Sequence, residues 1–546
     1  MSDSPPDSTT ISCLPNEVLQ KIFYCLCAPS WSRFWSDYRP IIRATHVCRL
    51  WRQIAINQPE LWAYILVDGD PARMTPILLE RSTSAPLTIT MPYFGPKRDP
   101  STILAEQRLW KDLSKAMERV VHLDINWNLT EDSIPIVEEM ISAAPVLHTL
   151  CVSDGGFHSR GQNGRILGGK FRDGHGTPQL RTLKLKGCSI PWTSQVLVNL
   201  TTLHVGGYRS PPTHCSGKEL LDALEQMVGL IELDFDLKLP SLLDVPEDRV
   251  VALPSLRSFK YHLNDDPTLL DHIAFPEAAN LHITFDYDIR PLLPSILPRR
   301  LTNLSSTPPN SSSMRSPPAF TFQQFKSLMV SVQRWEYDID MECRAWSGEV
   351  DFATLPSTGT VSYSLKREKS WANCKDFLVA LHPSNIRHLC VSQWYDRTEY
   401  RLAPFPFFPS VEEIFFRKLN SSSLRDHLGH LIGTMEEHDH PALKSLTLEE
   451  ISFPSGSRCS IFTKSEVSVK MILRATQVLA ELGKRVETLR FLRCIDLSDS
   501  LVGELGAFVG EVVVEERRWS KAKTCYNRKC EFCRETSDYD SSSDDF

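Results

Sequence analysis

The sequence predicts an α/β chain: an all-helical N-terminal module followed by an irregular solenoid of parallel strands. Three observations lead there. Apolar residues near the N-terminus fall on helical stripes. A six-residue unit with apolar positions one, four and six recurs through most of the remaining chain. Proline repeatedly stands two residues ahead of that unit.

The helical stripes come first. Leu14-Pro15-Asn16-Glu17 opens one helix, since a proline in the first turn lacks an N–H that would be unpaired there anyway. Val18, Leu19, Ile22, Phe23 and Leu26 follow on one side, and a second stripe reads Val47, Cys48, Trp51, Ile54 and Ala55. Pro59-Glu60-Leu61-Trp62 closes the unit. Two short amphipathic helices cannot bury both apolar faces by themselves, so part of this surface needs a partner.

The repeats run from about Val120 to about Phe491. Nine units carry the pattern: those starting at Leu147, Leu180, Leu200, Leu230, Leu256, Ile386, Val411, Leu443 and Val486. Their last two apolar positions alternate as in a strand with one face buried. Chance alone yields roughly thirty such matches at this apolar content, so a second signal is required. It is the proline, at Pro145, Pro178, Pro254, Pro276, Pro409 and Pro441, read as ending the element before each strand. Leu180 to Ile190 completes a leucine-rich repeat with Cys188 at its Asn/Cys position, and Cys494 stands at the same place after Val486. Gly217–Met227 and Lys470–Leu482 read as helices between strands, and residues 284–385 fit worst. The Gly-rich insertion Asp154–Gly176 and the Ser/Pro/Asn insertion Thr302–Pro318 lack core-forming composition and read as loops. The expected division is 1–11 disordered, 12–66 helical module, 67–119 linker and first repeat-like elements, 120–495 repeats, 496–536 a C-terminal segment and 537–546 an acidic disordered tail.

Leu14-Pro15-x-Glu17-Val18-Leu19-x-x-Ile22-Phe23, followed by Val47-Cys48-Arg49-x-Trp51-Arg52-x-Ile54-Ala55, resembles the F-box. Pro59-x-Leu61-Trp62 and Leu78-Leu79-Glu80-Arg81-Ser82 are similar to an expanded fungal group of F-box proteins. The resemblance implies docking onto the Skp-type adaptor of Skp–cullin–F-box ubiquitin ligases, and through it a cullin. Carried over by position, the adaptor-facing residues are Leu14, Pro15, Val18, Leu19, Ile22, Val47, Cys48 and Trp51. The stretch Cys27 to Pro40 is longer than the usual link between the helices.

The expected function is a substrate receptor, with a scaffold that transfers no ubiquitin as the alternative. A protein target would meet the outward strand positions Lys184, His204, Asp234, Lys260, Thr447 and Arg490. No enzymatic motif, cofactor or metal site is expected. Gly168-Gly169-Lys170-Phe171 lacks P-loop spacing, and His427, His430, His438 and His440 read as a surface loop. Cys525, Cys530 and Cys533 could hold zinc with Cys494 or a histidine as fourth ligand, but they read better as exposed thiols of a frayed tail. A net charge of −7 argues against nucleic acid as partner. Fifteen scattered cysteines, a polar N-terminus and no membrane-length apolar run point to the cytoplasm or nucleus.

Overall fold

The computed structural model describes residues 14–27, 39–67, 71–91, 111–127, 134–154, 165–168, 177–208, 216–237, 242, 244–246, 248–263, 268–285, 299–301, 320–322, 324–335, 338–356, 360–368, 371–381, 383–395, 408–419, 421–437, 443–451, 466–494 and 497–516. They fall into two compact units, Met1–Leu256 and Arg257–Phe546. The boundary lies inside the 120–495 span read as repeats. The insertion Thr302–Pro318, the segments 1–11 and 537–546, and Cys525, Cys530 and Cys533 lie outside the described residues.

The first unit begins with helices α1 (Asn16–Cys27), α2 (Arg39–Thr45) and α3 (Arg49–Ile56) and a 3-10 turn at Pro59–Trp62. Strand β1 (Tyr64–Leu66) follows directly, then α4 (Pro71–Arg81), β2 (Leu87–Met91), β3 (Val120–Trp127), α5 (Ile134–Ser142), β4 (Thr149–Asp154), β5 (Arg165–Ile166), β6 (Thr182–Lys186), β7 (Cys188–Ser189), β8 (Thr202–Tyr208), α6 (Gly217–Gln226), β9 (Glu232–Leu237) and β10 (Val251–Ala252). β1, β2, β3, β4, β6, β8 and β9 lie side by side, all parallel.

The second unit contains β11 (Ser258–Leu263), β12 (Ile273–Phe275), β13 (Asn280–Phe285), β14 (Arg299–Leu301), β15 (Phe320–Phe322), β16 (Ser327–Trp335), β17 (Asp338–Trp346) and β18 (Val361–Glu368). Then come α7 (Trp371–Ala380), β19 (His388–Tyr395), β20 (Glu413–Arg417), α8 (Ser421–Glu437), β21 (Ser445–Glu449), α9 (Glu466–Glu481), β22 (Thr488–Leu492), α10 (Asp499–Leu505) and β23 (Glu511–Glu515). Its strand order is β11, β13, β18, β17, β16, β19, β20, β21, β22, β23. Every neighbour pair is parallel except those of β17, which is antiparallel to both β16 and β18. This corrects the expectation of parallel strands throughout, in the stretch that fits the repeat worst. The chain reverses between Trp335 and Asp338, too short a span for the crossover that parallel neighbours need.

All nine sequence units enter strands, with their apolar positions buried. They stack in register: Leu150, Leu183, Leu203 and Leu233 form one row of the first unit. In the second, Leu328, Leu389, Ile414, Leu446 and Leu489 form another. The prolines do more than end an element. The Leu147 N–H donates to the Ala144 carbonyl, Leu180 to Thr177, Leu256 to Leu253 and Val411 to Phe408, at 3.2–3.3 Å. Pro145, Pro178, Pro254 and Pro409 therefore hold the second position of a turn, where a fixed φ near −65° suits the backbone. The same turn forms without proline before Leu200 and Leu230.

Two cysteines repeat a buried contact. The Cys188 thiol donates to the Val152 carbonyl at 3.4 Å, and the Cys494 thiol to the Leu448 carbonyl at 3.1 Å. Each stands three residues past an apolar strand residue, Leu185 or Phe491, whose register partner supplies the carbonyl. Burial pushes the Cys494 thiol up to about 11 and Cys188 higher still, so both stay protonated near neutrality. Alkylation of the native chain followed by peptide mass mapping should modify the exposed Cys25 and Cys48 and spare Cys188, Cys390 and Cys494 until denaturant is added. Early labelling of the last three would contradict this packing.

Part of the Gly-rich insertion is structured, which corrects its reading as a loop. β5 pairs with β7, Leu167 is fully buried, and the Gly168 N–H donates to Glu138 Oε1 at 2.8 Å. The helices between strands appear as expected: α6 starts with a reciprocal capping box between Ser216 and Glu219.

Candidate functional site

The N-terminal module is built from three short helices, one more than the stripes indicate; α2 is the addition. The Pro15 carbonyl accepts the N–H groups of Val18 and Leu19 and so starts α1. Leu19 and Phe23 are fully buried, together with Ile41 and Ala44 of α2 and Ile54 and Ala55 of α3. The Phe23 and Trp51 rings meet edge-on at 5.1 Å. Cys48 caps α3, its sulfur accepting the Trp51 N–H at 3.5 Å.

The module joins the first unit's sheet through its closing turn. Trp62 is fully buried, its Nε1 donates to the Ala55 carbonyl at 2.8 Å, and the Arg81 guanidinium lies 4.4 Å above its ring. Two residues on, β1 pairs with β2. Arg119 donates to Leu79 O, Ser82 Oγ and Ala85 O at 3.0–3.2 Å, closing the end of α4. The Leu78–Ser82 stretch singled out in the sequence thus ties the module's tryptophan to the first strands.

The residues expected to face an adaptor divide by exposure. Pro15, Val18, Val47 and Cys48 are exposed, with Val18 at 40% and Val47 at 61%. Leu14, Ile22 and Trp51 are half-buried; Val18 and Ile22 share one flank of α1 by their spacing of four, and Leu14 lies two residues ahead of the helix. Leu19 lies wholly inside the module. Leu26 of the first stripe is also exposed, as are Tyr24, Leu50 and Ile56, which the stripes do not single out. Such a density of exposed large apolar side chains on a module of about fifty residues marks an interaction surface.

The residues expected to meet a target also divide. Lys184, His204 and Asp234 form a single row across β6, β8 and β9, continued by Cys151 and Asp124 on β4 and β3. His204 Nδ1 lies 2.9 Å from Asp234 Oδ2. Desolvation raises the Asp124 carboxyl above its ordinary value, and the nearby Lys184 charge opposes that rise. Lys260 and Arg490 are exposed on their strands.

Thr447 is 5% exposed, which corrects its placement on an open face. Its row runs Met329, Cys390, Phe415, Thr447, Arg490, and the first three are apolar. Trp346 and Phe352, with Val350 and Leu355, pack over Met329, Cys390 and Phe415. The Phe352 ring lies 6.1 Å from Trp346 and 5.8 Å from Phe415. The β16–β20 part of the sheet thus has a core on both faces. The sequence carried a sign of this: Leu389-Cys390-Val391 and Ile414-Phe415-Phe416 are apolar at consecutive positions, where a half-exposed strand alternates.

His427 and His430 lie on α8, not on a loop; His438 and His440 lie outside the described residues. The His427 ring packs 6.0 Å from Phe416. Burial, and secondarily the charge of His430, lower it to about 3. The unfolded chain then binds a proton below the ordinary value of 6.5 that the folded chain refuses. Stability is present above that value and is lost as pH falls towards 3. Between pH 7 and pH 5 the loss from this group is about 2 kcal/mol. Denaturant midpoints at the two pH values should differ less in a His427→Leu chain; an unchanged difference would show that His427 does not titrate as described.

Among the described residues no group of His, Cys, Asp and Glu could hold a metal ion, and no helix is long and apolar enough to cross a membrane. A family model described as F-box-like matches residues 11–68. No curated protein matches the chain.

Proposed function

We propose that this chain is the substrate-recognition subunit of a Skp–cullin–F-box type ubiquitin ligase. The F-box-like module suggests a role in ubiquitin-ligase substrate recognition at the general level. The observation that carries the finer reading is the pairing of that match with exposed apolar residues at its motif positions, Val18 and Val47. In this reading a Skp-type adaptor covers Leu14, the flank of Val18 and Ile22, and the start of α3 at Val47 and Cys48, while Leu19 supports it from within. The irregular leucine-rich-repeat-like solenoid holds a protein target. Lys184, His204 and Asp234 are the preferred contacts, with Lys260 and Arg490 further candidates. The chain performs no chemistry itself; it supplies proximity to partner enzymes.

Two variants of the full chain test this. Removal of residues 12–66 would also remove β1, so point changes are the cleaner tool. A Val18→Glu, Val47→Glu chain should keep its co-purifying target and lose the adaptor, the cullin and target ubiquitination. Lys184→Glu with Asp234→Lys should keep the adaptor and lose the target. If the first variant leaves target ubiquitination unchanged, the scaffold reading replaces the receptor.

A further inference from the structure

We propose that the outer edge of β23 accepts an extended, basic segment of a partner protein as an added strand. Among the described residues β23 pairs only with β22. Its register makes Glu511, Val513 and Glu515 turn their backbone groups towards β22: the Glu511 N–H donates to Glu487, and the Glu515 carbonyl accepts from Arg493. The N–H and C=O groups of Val512 and Val514 therefore point outward along the edge.

The side chains support the same conclusion. Val512 and Val514 continue the apolar rows of Leu489 and Phe491, which are fully buried. On β23 the rows are half-exposed, so among the described residues the core stripe runs one strand past its cover. A repeat array normally ends on a polar outer surface. Three consecutive β-branched residues suit strand pairing. Glu511 and Glu515 flank them, are exposed, and make no ion pair among the described residues; Glu516 follows. Those like charges disfavour two copies of the edge meeting each other and favour lysine or arginine on the incoming strand. Strand addition supplies affinity through backbone hydrogen bonds and selectivity through alternate side chains.

The test uses the full chain and a ten-residue peptide of alternating valine and lysine with blocked ends. Its control is the same peptide with alternate backbone nitrogens methylated, which keeps every side chain and removes the pairing donors. Fluorescence anisotropy should show the control binding at least tenfold more weakly. Glu511→Lys with Glu515→Lys should weaken the unmethylated peptide to a similar degree, and Val512→Pro, which deletes one outward N–H, should do the same. Circular dichroism and the thermal midpoint of each variant establish that it is folded. Equal binding of both peptides, or indifference to the charge reversal, overturns the proposal. The chain's own residues 517–534 are rich in Arg and Lys. If Arg517→Ser, Arg518→Ser, Lys521→Ser and Lys523→Ser together raise peptide affinity tenfold, that segment occupies the edge and the partner assignment falls.

Discussion

Glutamate at both Val18 and Val47 is expected to abolish adaptor binding while the chain stays folded. Each side chain is exposed, so a charge there disturbs no internal packing. Apolar anchors at the centre of an interface typically contribute about 2–4 kcal/mol each, and burying an unpaired carboxylate costs more. Affinity should therefore fall by more than about a hundredfold. Leu19→Glu provides the contrast. Leu19 is fully buried beside Phe23, and the same substitution there should unfold the module. Adaptor capture by the purified variants, with circular dichroism as the fold control, separates the two effects. A folded double variant that still captures the adaptor at wild-type strength would remove α1 and the start of α3 from the docking surface.

The second large effect is expected at Glu449, at the end of β21. Its carboxylate is fully buried and ion-paired with Arg417, 3.0 Å away, and with Arg493. Lys418, Glu450, Arg493 and Glu516 follow four successive strands, each with φ between 50° and 55°. The Lys418, Glu450 and Arg493 N–H groups each donate to the last carbonyl of the next strand at 2.9–3.0 Å, which holds them in this left-handed conformation. Their side chains alternate in sign: Lys418 and Arg493 each reach Glu450, and Arg493 also lies 4.0 Å from Glu516. Glu449→Ala leaves two arginines facing one another without their shared carboxylate. The loss expected in urea unfolding is about 3 kcal/mol, below the upper range because both guanidinium groups are about a quarter exposed. Replacing all three with apolar residues of similar volume, Arg417→Met, Glu449→Leu and Arg493→Met, should restore most of it. A single variant as stable as the parent would mean that the cluster contributes nothing net.

Much of this was readable in the sequence because it depends on short-range periodicity. The two stripes place Phe23, Ile54 and Ala55 in the module's interior, and each repeat unit places its apolar residues on the buried side of a strand. Prolines locate the turns before four strands because a fixed φ has the same meaning in any context. The left-handed residues were not readable. Lys418, Glu450 and Arg493 are not the glycine or asparagine that usually marks positive φ, and only the neighbouring strand's carbonyl explains the conformation.

By itself the sequence determined the helical module, the parallel strands of the nine repeat units and the burial of each unit's own apolar positions, since periods of 3.6 and 2 are local properties. Tertiary structure alone decided three further matters. It placed Leu19 inside the module while Val18, its neighbour in the same motif, faces outward. It inserted β17 against the direction of its neighbours. It laid Trp346 and Phe352 over the row that leads to Thr447. In each case the outcome rests on which distant segment arrives to pack against the residue, and a local pattern carries no information about that neighbour.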